Sequence, residues 1–289
     1  MLARTQYEVH LPSHRLALGI RTLVMGVLNT TPDSFFRGSR RFRPGDAIAR
    51  GMALEEEGAD ILDVGGESTR PPFRNVLPAA EEIRRVVPVI EGLRKRVAIP
   101  ISVDTFKAEV ARAAISAGAE IVNDIGGLRL DGELPKVVAS ARVAVVLMHS
   151  RGKPHQMHHL PPVQDVLKAV VESLNRSVKR ATSAGISKKR IIVDPGIGFS
   201  KAPEDNLLLL KRLHILSGLA LPILVGASRK SFLGKILSVP VEQRLTGSLA
   251  CCAIAIMEGA HIVRVHDVKE TRQVAVLCDA VREAGMRNQ

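Results

Sequence analysis

Eight short runs of aliphatic residues recur along the chain, and each is followed by a segment with helical periodicity. Val, Ile and Leu follow one another in these runs almost without alternation, which is typical of strands buried on both faces of a parallel sheet. The predicted strands are 23–28, 59–64, 99–103, 119–122, 143–147, 190–193, 221–225 and 260–265. Eight alternating units over roughly 265 residues predict an α/β fold, a single (β/α)8 TIM barrel with parallel strands and helices outside it.

The junctions between the units repeat as well. The sequence reads EEGAD, SAGAE and MEGAH before the second, fourth and eighth strands. In each, a glycine (Gly58, Gly118 or Gly259) stands where a helix ends and a left-handed residue is needed, and Gly185 is expected to do the same. The clearest helical segments are 47–57, 79–96 and 163–184. An open doubly wound sheet is the alternative, but the glycine-rich dinucleotide fingerprint typical of such sheets does not follow the first strand.

Nothing along the chain indicates a linker, so residues 1–289 are expected to form one domain, in which residues 1–20 cover the bottom of the barrel. No apolar run reaches the ~18 residues of a membrane span, and the N-terminus lacks the apolar stretch of a signal peptide. Cys251, Cys252 and Cys278 have neither disulfide-framework nor metal-ligand spacing, so buried thiols are expected. These features predict a cytoplasmic protein without membrane association.

The formal net charge is +12. A charge of this sign is compatible with nucleic acid, a membrane surface or anionic small molecules as partners. The basic residues are spread along the chain, and with one tyrosine and no tryptophan there is no platform of aromatic residues for stacking nucleotide bases. The composition therefore favours phosphorylated small molecules over nucleic acid.

Candidate site residues stand at the ends of the predicted strands, where function is located in barrels of this type. In chain order they are Asn29, Asp63, Asp104, Asn123, Met148, His149, Asp194, Ser228, Arg229, Lys230, Arg264 and His266. Carboxylates and amides that face one centre suit a flat ligand whose edge is rich in N–H donors, and a metal cage is the competing interpretation. The cations after the last two strands indicate phosphate binding. His149 is expected on a solvated loop.

These residues lie within eight segments that resemble the dihydropteroate synthases of the pterin-binding family. The segments read MGVLNTTPDSF at 25–35, ILDVGGESTRP at 61–71, SVDT at 102–105, NDI at 123–125, LMH at 147–149, DPGIGF at 194–199, ASRKSF at 227–232 and RVHDV at 264–268. Any one of them is a weak signal. Eight in family order, each at a predicted strand end, are specific, and the resemblance covers the chain from residue 22 onward.

The resemblance implies roles for the site residues. The pterin ring would be bound by Asp63, Asp104, Asn123, Met148, Asp194, Phe199 and Lys230. The diphosphate would be held by Arg264 and His266, with Mg²⁺ between Asn29 and the phosphate oxygens. The aminobenzoate would lie against Phe35, Thr69, Arg70, Pro71 and Ser231. Asp104, Lys230 and Arg264 would contribute to catalysis.

The implied activity is a transferase reaction of folate biosynthesis. A dihydropterin methyl diphosphate would lose pyrophosphate with the help of Mg²⁺, and the arylamine of 4-aminobenzoate would attack the methylene carbon. An arylamine is already neutral at pH 7, so the reaction needs no strong general base. The resemblance also implies a homodimer and a target of sulfonamides, which mimic aminobenzoate.

The match to the family is weakest in two loops. Phe36, Arg37, Gly38 and Ser39 stand where the family commonly has Ser-Asp-Gly-Gly, so an acidic residue becomes Arg37. Pro72 stands where the family usually has glycine and stiffens the second loop. Two alternatives therefore remain: a non-catalytic pterin-binding paralogue or one with altered specificity, and the pterin domain of a corrinoid-linked methyltransferase.

Overall fold

The computed structural model describes residues 4–31, 43–67, 76–156, 160–161 and 163–284. Two strands, β1 (Tyr7–His10) and β2 (Arg15–Leu18), form an antiparallel hairpin. The other eight form one parallel sheet in the order β8-β7-β6-β5-β4-β3-β10-β9. Their bounds are β3 Leu23–Asn29, β4 Ile61–Gly65, β5 Ile101–Asp104, β6 Ile121–Asp124, β7 Ala144–Met148, β8 Ile191–Asp194, β9 Leu224–Val225 and β10 Ile262–Val265.

Nine α-helices lie in the described part of the chain and alternate with the sheet strands. Their bounds are α1 Pro44–Glu56, α2 Ala79–Arg94, α3 Ala108–Ala117, α4 Leu134–Ala141, α5 Val166–Ser183, α6 Pro203–Lys211, α7 Ser231–Leu237, α8 Leu245–Met257 and α9 Val268–Glu283. Buried apolar side chains from these helices and from the outward faces of the strands form one large core between the two layers. This alternation confirms the predicted barrel of parallel strands.

The barrel closes between β8 and β9. An isolated parallel bridge pairs Val193 with Ile223, and the amide of Val193 donates to the carbonyl of Pro222 at 2.9 Å. The sequence predicted a strand over 221–225, but only Leu224 and Val225 form one. Pro222 has no N–H to donate, and the amide of Ile223 donates to His261 Nδ1 instead of a neighbouring strand.

The predicted helix ends are confirmed at all four glycines. Gly58, Gly118, Gly185 and Gly259 have φ angles of +100°, +118°, +93° and +103°. At the first, second and fourth, the chain enters the next strand within three residues. These short connections fix where each strand begins, and therefore where its C-terminal side chains lie.

The barrel interior is apolar at one end and polar at the other. Inward-facing residues near the strand starts, among them Met25, Ile61 and Ile121, form one buried cluster. Val9, Leu16 and Leu18 of the β1–β2 hairpin belong to the same cluster, so the hairpin covers this end. The polar side chains stand at the opposite, C-terminal end.

Three cysteines lie on the last two helices, and all are free thiols buried in the core. Burial raises the pKa of Cys251 to about 11 and that of Cys252 to about 12, so neither is a thiolate at neutral pH. Within the residues that the structure describes, no helix combines the length and apolar character needed to cross a bilayer.

Candidate active site

A cavity of about 400 Å³ opens at the C-terminal ends of the strands. Twelve of the residues predicted for the site line it: Asn29, Asp104, Asn123, Met148, Asp194, Phe199, Ser228, Arg229, Lys230, Ser231, Arg264 and His266. Asp63 lies directly below and is completely buried. Phe35, Thr69, Arg70 and Pro71 lie outside the described residues, as do the changed loop positions Arg37 and Pro72.

Arg264 joins two carboxylates at the base of the cavity. Its Nε donates to Asp63 Oδ2 and its Nη2 to Asp104 Oδ2, both at 2.6 Å. Asn123 Nδ2 also donates to Asp63 Oδ2, at 3.0 Å. This amide orientation leaves Asn123 Oδ1 as an acceptor. The sequence grouped Arg264 with the phosphate-binding cations. In the structure its guanidinium neutralises the carboxylates of Asp63 and Asp104 at the base of the cavity.

The charges in this group shift one another's ionisation. Burial raises the pKa of Asp104 to about 7, although the positive charge of Arg264 opposes this shift. Burial alone would lower the pKa of Arg264, but the charges of Asp63 and Asp104 outweigh it and raise that pKa above its ordinary value. One cation between two carboxylates leaves a net negative site, which favours a ligand that brings N–H donors or positive charge.

The far wall of the cavity is formed by Asp194 and the loop that follows β8. Burial raises the pKa of Asp194 to about 6, although its Oδ1 accepts the amide of Gly196 at 2.6 Å. The ring of Phe199 faces Lys230, whose Nζ lies 3.9 Å from the ring centroid. This distance places the ammonium within cation–π range. An acceptor, an aromatic face and a cation therefore stand together on one side of the cavity.

Arg229, which the sequence placed among these cations, lines the cavity, but its guanidinium is paired with an acidic residue. Its guanidinium pairs with Asp267 at 2.9 and 2.7 Å, through two nitrogens, and also donates to the carbonyl of Val241. Its φ angle of +55° is unusual for a side chain of this size. Arg229 thus fixes the turn before α7 against the start of α9.

His149 corrects another expectation. The sequence predicted a solvated loop at this position, but only 3% of the residue's surface is exposed to solvent. Burial lowers its pKa to about 2, and the nearby charge of Lys201 acts in the same direction. The imidazole is therefore neutral, and its Nδ1 lies 2.8 Å from Lys201 Nζ. Lys201 stands two residues after the DPGIGF segment, yet no pattern in the sequence identified this contact.

A second buried cluster was also missed. Lys107 Nζ donates to Glu67 Oε2 at 2.8 Å, to Glu82 Oε2 at 2.5 Å and to the carbonyl of Leu77 at 2.6 Å. Glu67 also accepts the amide of Leu77 at 2.6 Å. Lys107 thus holds together Glu67 and Leu77, which are far closer in space than in sequence.

The residues around Asn29 fit a metal ion whose ligands come mainly from a bound substrate and from water. A Cβ placed on Gly65 would lie 3.7 Å from Asn29 Oδ1 and 3.8 Å from Asp104 Oδ2, so the glycine keeps a small space beside these oxygens. Among the described residues, no group of three or more His, Cys, Asp or Glu side chains could hold a metal ion. An amide and few carboxylates suit Mg²⁺, which keeps several waters and takes phosphate oxygens as ligands.

The sequence has many relatives of one kind. A family model described as pterin binding enzyme matches residues 25–266. The dihydropteroate synthase of Bacillus subtilis is 43% identical and aligns over 96% of this chain and 94% of its own length. That of Escherichia coli K12 is 44% identical over 90% of this chain and 92% of its own.

Solved structures agree with these sequence relatives. Yersinia pestis dihydropteroate synthase in a sulfonamide complex superposes with a TM-score of 0.89 at 41% identity, covering 96% of this chain and 99% of its own. The Xanthomonas albilineans enzyme in complex with 7,8-dihydropteroate gives 0.86 at 42% identity, covering 95% and 98%. The chain therefore belongs to the dihydropteroate synthases of the pterin binding enzyme family.

Proposed function

We propose that this enzyme condenses (7,8-dihydropterin-6-yl)methyl diphosphate with 4-aminobenzoate, giving 7,8-dihydropteroate and diphosphate. The observation that carries the proposal is the convergence of Asp104, Asn123, Asp194 and Lys230 in one cavity above a buried Arg264–Asp63 pair. Solved relatives from Xanthomonas albilineans hold 4-aminobenzoic acid in one case and 7,8-dihydropteroate in another. These two molecules are the second substrate and the product of the proposed reaction.

The pterin is proposed to bind through its N–H edge. Asn123 Oδ1 and the carboxylates of Asp104 and Asp194 are acceptors, and a 2-amino-pyrimidinone edge supplies several donors. Lys230 is the donor for the ring's acceptor side, and Phe199 and Met148 pack against the ring. Each hydrogen-bond donor that a carboxylate gains in so enclosed a place offsets part of its desolvation cost, so donors on the ring would contribute directly to affinity.

The buried charges are proposed to assist C–O bond cleavage. As diphosphate leaves, positive charge develops on the methylene carbon and spreads into the pterin ring, where Asp104 and Asp63 lie close enough to stabilise it. Arg264 and His266, which both line the cavity, would stabilise the departing anion, and Asn29 would hold Mg²⁺, which would supply further neutralisation of the diphosphate. The arylamine then attacks the methylene carbon and releases its proton to water.

The aminobenzoate is proposed to bind at the outer rim. Ser231 lines the cavity there, at the start of α7. Phe35, Thr69, Arg70 and Pro71 are proposed to complete this site on the strength of the family segments in which they stand. Arg37 and Pro72 lie beside them in the sequence, so changed specificity at this subsite is the alternative to test.

A second copy of the chain is proposed to cover an apolar face formed by α8 and α9. Ile254, Val276, Leu277 and Val281 are 46%, 60%, 66% and 49% exposed on these adjoining helices. Exposed apolar residues grouped in this way are typical of subunit contacts. The free cysteines on the same helices suit a reducing compartment, and we propose the cytoplasm.

The function is tested by measuring diphosphate release from purified protein given dihydropterin diphosphate, 4-aminobenzoate and Mg²⁺. Release that requires 4-aminobenzoate, and that is lost in Asp104→Ala, is the expected result. Tight pterin binding without release would favour a non-catalytic paralogue. Methyl transfer from a methylated folate to a corrinoid protein would instead favour the methyltransferase alternative.

A further inference from the structure

A buried lysine outside the cavity holds the loop that follows β8. Lys201 Nζ donates to the carbonyl of Gly196 at 2.8 Å, to the carbonyl of Phe199 at 2.9 Å and to His149 Nδ1 at 2.8 Å. An ammonium group has three N–H donors and no acceptor, so these three contacts use all of them. No neutral side chain offers three donors at one atom.

The loop that Lys201 holds has little room to move. Gly196, Gly198 and Ser200 have φ angles of +67°, +81° and +53°, so left-handed residues recur at every second position. A Cβ on Gly196 would lie 2.0 Å from the carbonyl oxygen of His149, and one on Gly198 would lie 3.0 Å from Cδ of Lys230. The loop is thus pressed between the end of β7 and the side chain of Lys230.

The carbonyls that Lys201 binds belong to residues that form the cavity wall. Gly196 and Phe199 line the cavity, whereas Lys201 does not. The ring of Phe199 lies 3.9 Å from Lys230 Nζ. A shift of the loop would move the aromatic ring that faces Lys230 and also Gly198, which lies beside the Lys230 side chain.

We propose that Lys201 is a positioning residue for pterin binding: its buried ammonium fixes the 195–202 loop so that Phe199 and Lys230 face the pterin subsite. The inference rests on the proposed function, because it assigns the cavity wall to the pterin. Lys201 acts only through the loop and does not touch the substrate.

The electrostatic surroundings explain why a histidine, His149, is the third acceptor for the ammonium group of Lys201. Burial is the main cause that lowers the pKa of Lys201, to about 7, and the charges of Asp194 and Asp205 oppose this shift. A positively charged partner would lower the pKa of Lys201 further. Burial keeps His149 neutral, with a pKa of about 2, so that it offers a lone pair at Nδ1 instead of a second positive charge.

The first test replaces Lys201 by methionine, which keeps most of the hydrocarbon length and removes all three donors. Lys201→Met should raise the KM and the directly measured Kd for dihydropterin diphosphate by about tenfold or more, because several hydrogen bonds to a charged group are lost. The KM for 4-aminobenzoate, measured at saturating pterin, should stay within about twofold. Lys211→Met is the matched control on the same helix–loop unit, since Lys211 is exposed at the end of α6, and it should leave both constants unchanged.

A purely structural role predicts a different result. Partial unfolding removes active molecules, so it lowers kcat and leaves both KM values unchanged. That outcome, or an unchanged pterin Kd in folded Lys201→Met, overturns the proposal. If the wild-type protein itself fails to bind dihydropterin diphosphate, the proposed function fails instead, so the two failures are distinguishable.

A second pair of variants applies if Lys201→Met does not fold. His149→Asn retains an acceptor at the position of Nδ1, whereas His149→Leu removes it at similar size. The Asn variant should bind dihydropterin diphosphate with a Kd within about twofold of wild type, and the Leu variant should bind it several-fold more weakly. Equal Kd values for the two variants would contradict the role of the Lys201–His149 contact.

Discussion

Arg264 neutralises two carboxylates, one buried and one partly buried, with a single guanidinium. It lies 2.6 Å from oxygens of both Asp63 and Asp104, and its side chain is 18% exposed toward the cavity. Asp63 Oδ1 has no hydrogen-bond partner within the part of the chain that the structure describes, so this carboxylate depends strongly on the cation beside its other oxygen. The residue therefore has a structural role in addition to the proposed role in binding diphosphate.

Replacing Arg264 by methionine should lower the free energy of unfolding by about 3 kcal/mol, because the buried carboxylate of Asp63 and the partly buried carboxylate of Asp104 lose their cation. Chemical denaturation at neutral pH measures this change. The matched control is Arg84→Met on α2, which breaks an ion pair whose arginine is 73% exposed and should cost under about 1 kcal/mol. Equal effects for the two variants would show that Arg264 contributes no more than a surface cation.

The residues of the cavity were largely predictable, but their pairing was not. Strand ends and family segments identified Asp104, Asn123 and Asp194, because position along a strand determines which end of the barrel a side chain reaches. The Arg264–Asp63 contact joins residues 201 positions apart. Such a contact depends on barrel closure, which no local pattern encodes. The same holds for Lys201 and His149, which are 52 positions apart.

At the scale of elements, His261 connects three parts of the fold. Its Nδ1 accepts the amide of Ile223 at 3.1 Å, and its Nε2 lies 2.9 Å from the carbonyl of Thr5. Its ring also meets the edge of Tyr7 in the β1–β2 hairpin, with centroids 5.2 Å apart. One neutral imidazole thus links the N-terminal segment to the start of β10 and the residue before β9.

His261 predicts a specific pH dependence of stability. Burial is the main cause that lowers its pKa to about 4, below the 6.5 of an unfolded histidine. The unfolded chain therefore binds the proton more tightly, so the stabilisation is complete above pH 6.5 and is lost as the pH falls toward 4. As the pH falls from 7.5 to 5, protonation linked to His261 should lower the free energy of unfolding by about 1–2 kcal/mol.

The measurement compares wild type with His261→Asn by denaturation at several pH values. Asparagine can accept the amide of Ile223 through Oδ1 but does not titrate. The difference in unfolding free energy between the two proteins should therefore shrink as the pH falls from 7.5 to 5. A difference that is independent of pH would contradict the assignment of a neutral, buried imidazole.

Element boundaries show the limits of the sequence signal. All eight sheet strands were predicted, since continuous aliphatic runs mark strands buried on both faces. Seven of the eight strands begin later than predicted and five end one residue further, and β5, which was expected at 99–103 and spans Ile101–Asp104, does both. The final residue of several strands is an Asp or Asn. A prediction from hydrophobic runs leaves such a residue out of the strand, although its backbone still pairs with the neighbouring strand.

At the scale of the whole molecule, the net charge of +12 acts on the approach of substrate. Both proposed substrates are anions, and the diphosphate carries more charge than the benzoate. A positive protein attracts such ligands over distances comparable to the Debye length, which is about 10 Å at 0.1 M salt. The charge is thus useful without any nucleic-acid partner.

The second-order rate constant kcat/KM for dihydropterin diphosphate should fall as ionic strength rises from about 0.02 to 0.5 M, because salt screens the attraction. The value for 4-aminobenzoate should fall less, since this ligand carries one negative charge. Steady-state rates at several salt concentrations measure both dependences. Equal dependences for the two substrates would indicate a general effect of salt on the protein.

The closure between β8 and β9 leaves one edge of the barrel more weakly joined than the others. β9 has two residues and pairs along its length only with β10, and a single bridge between Val193 and Ile223, the residue before β9, joins this segment to β8. Local openings occur where few backbone hydrogen bonds must break together, so deuterium should enter the amides of this edge before those of β3 to β7. Asp194 is the last residue of β8, and Lys230 lies on the segment that follows β9. A ligand that bridges these two residues would therefore close the barrel more firmly, and amide exchange at this edge would slow when the pterin subsite is filled.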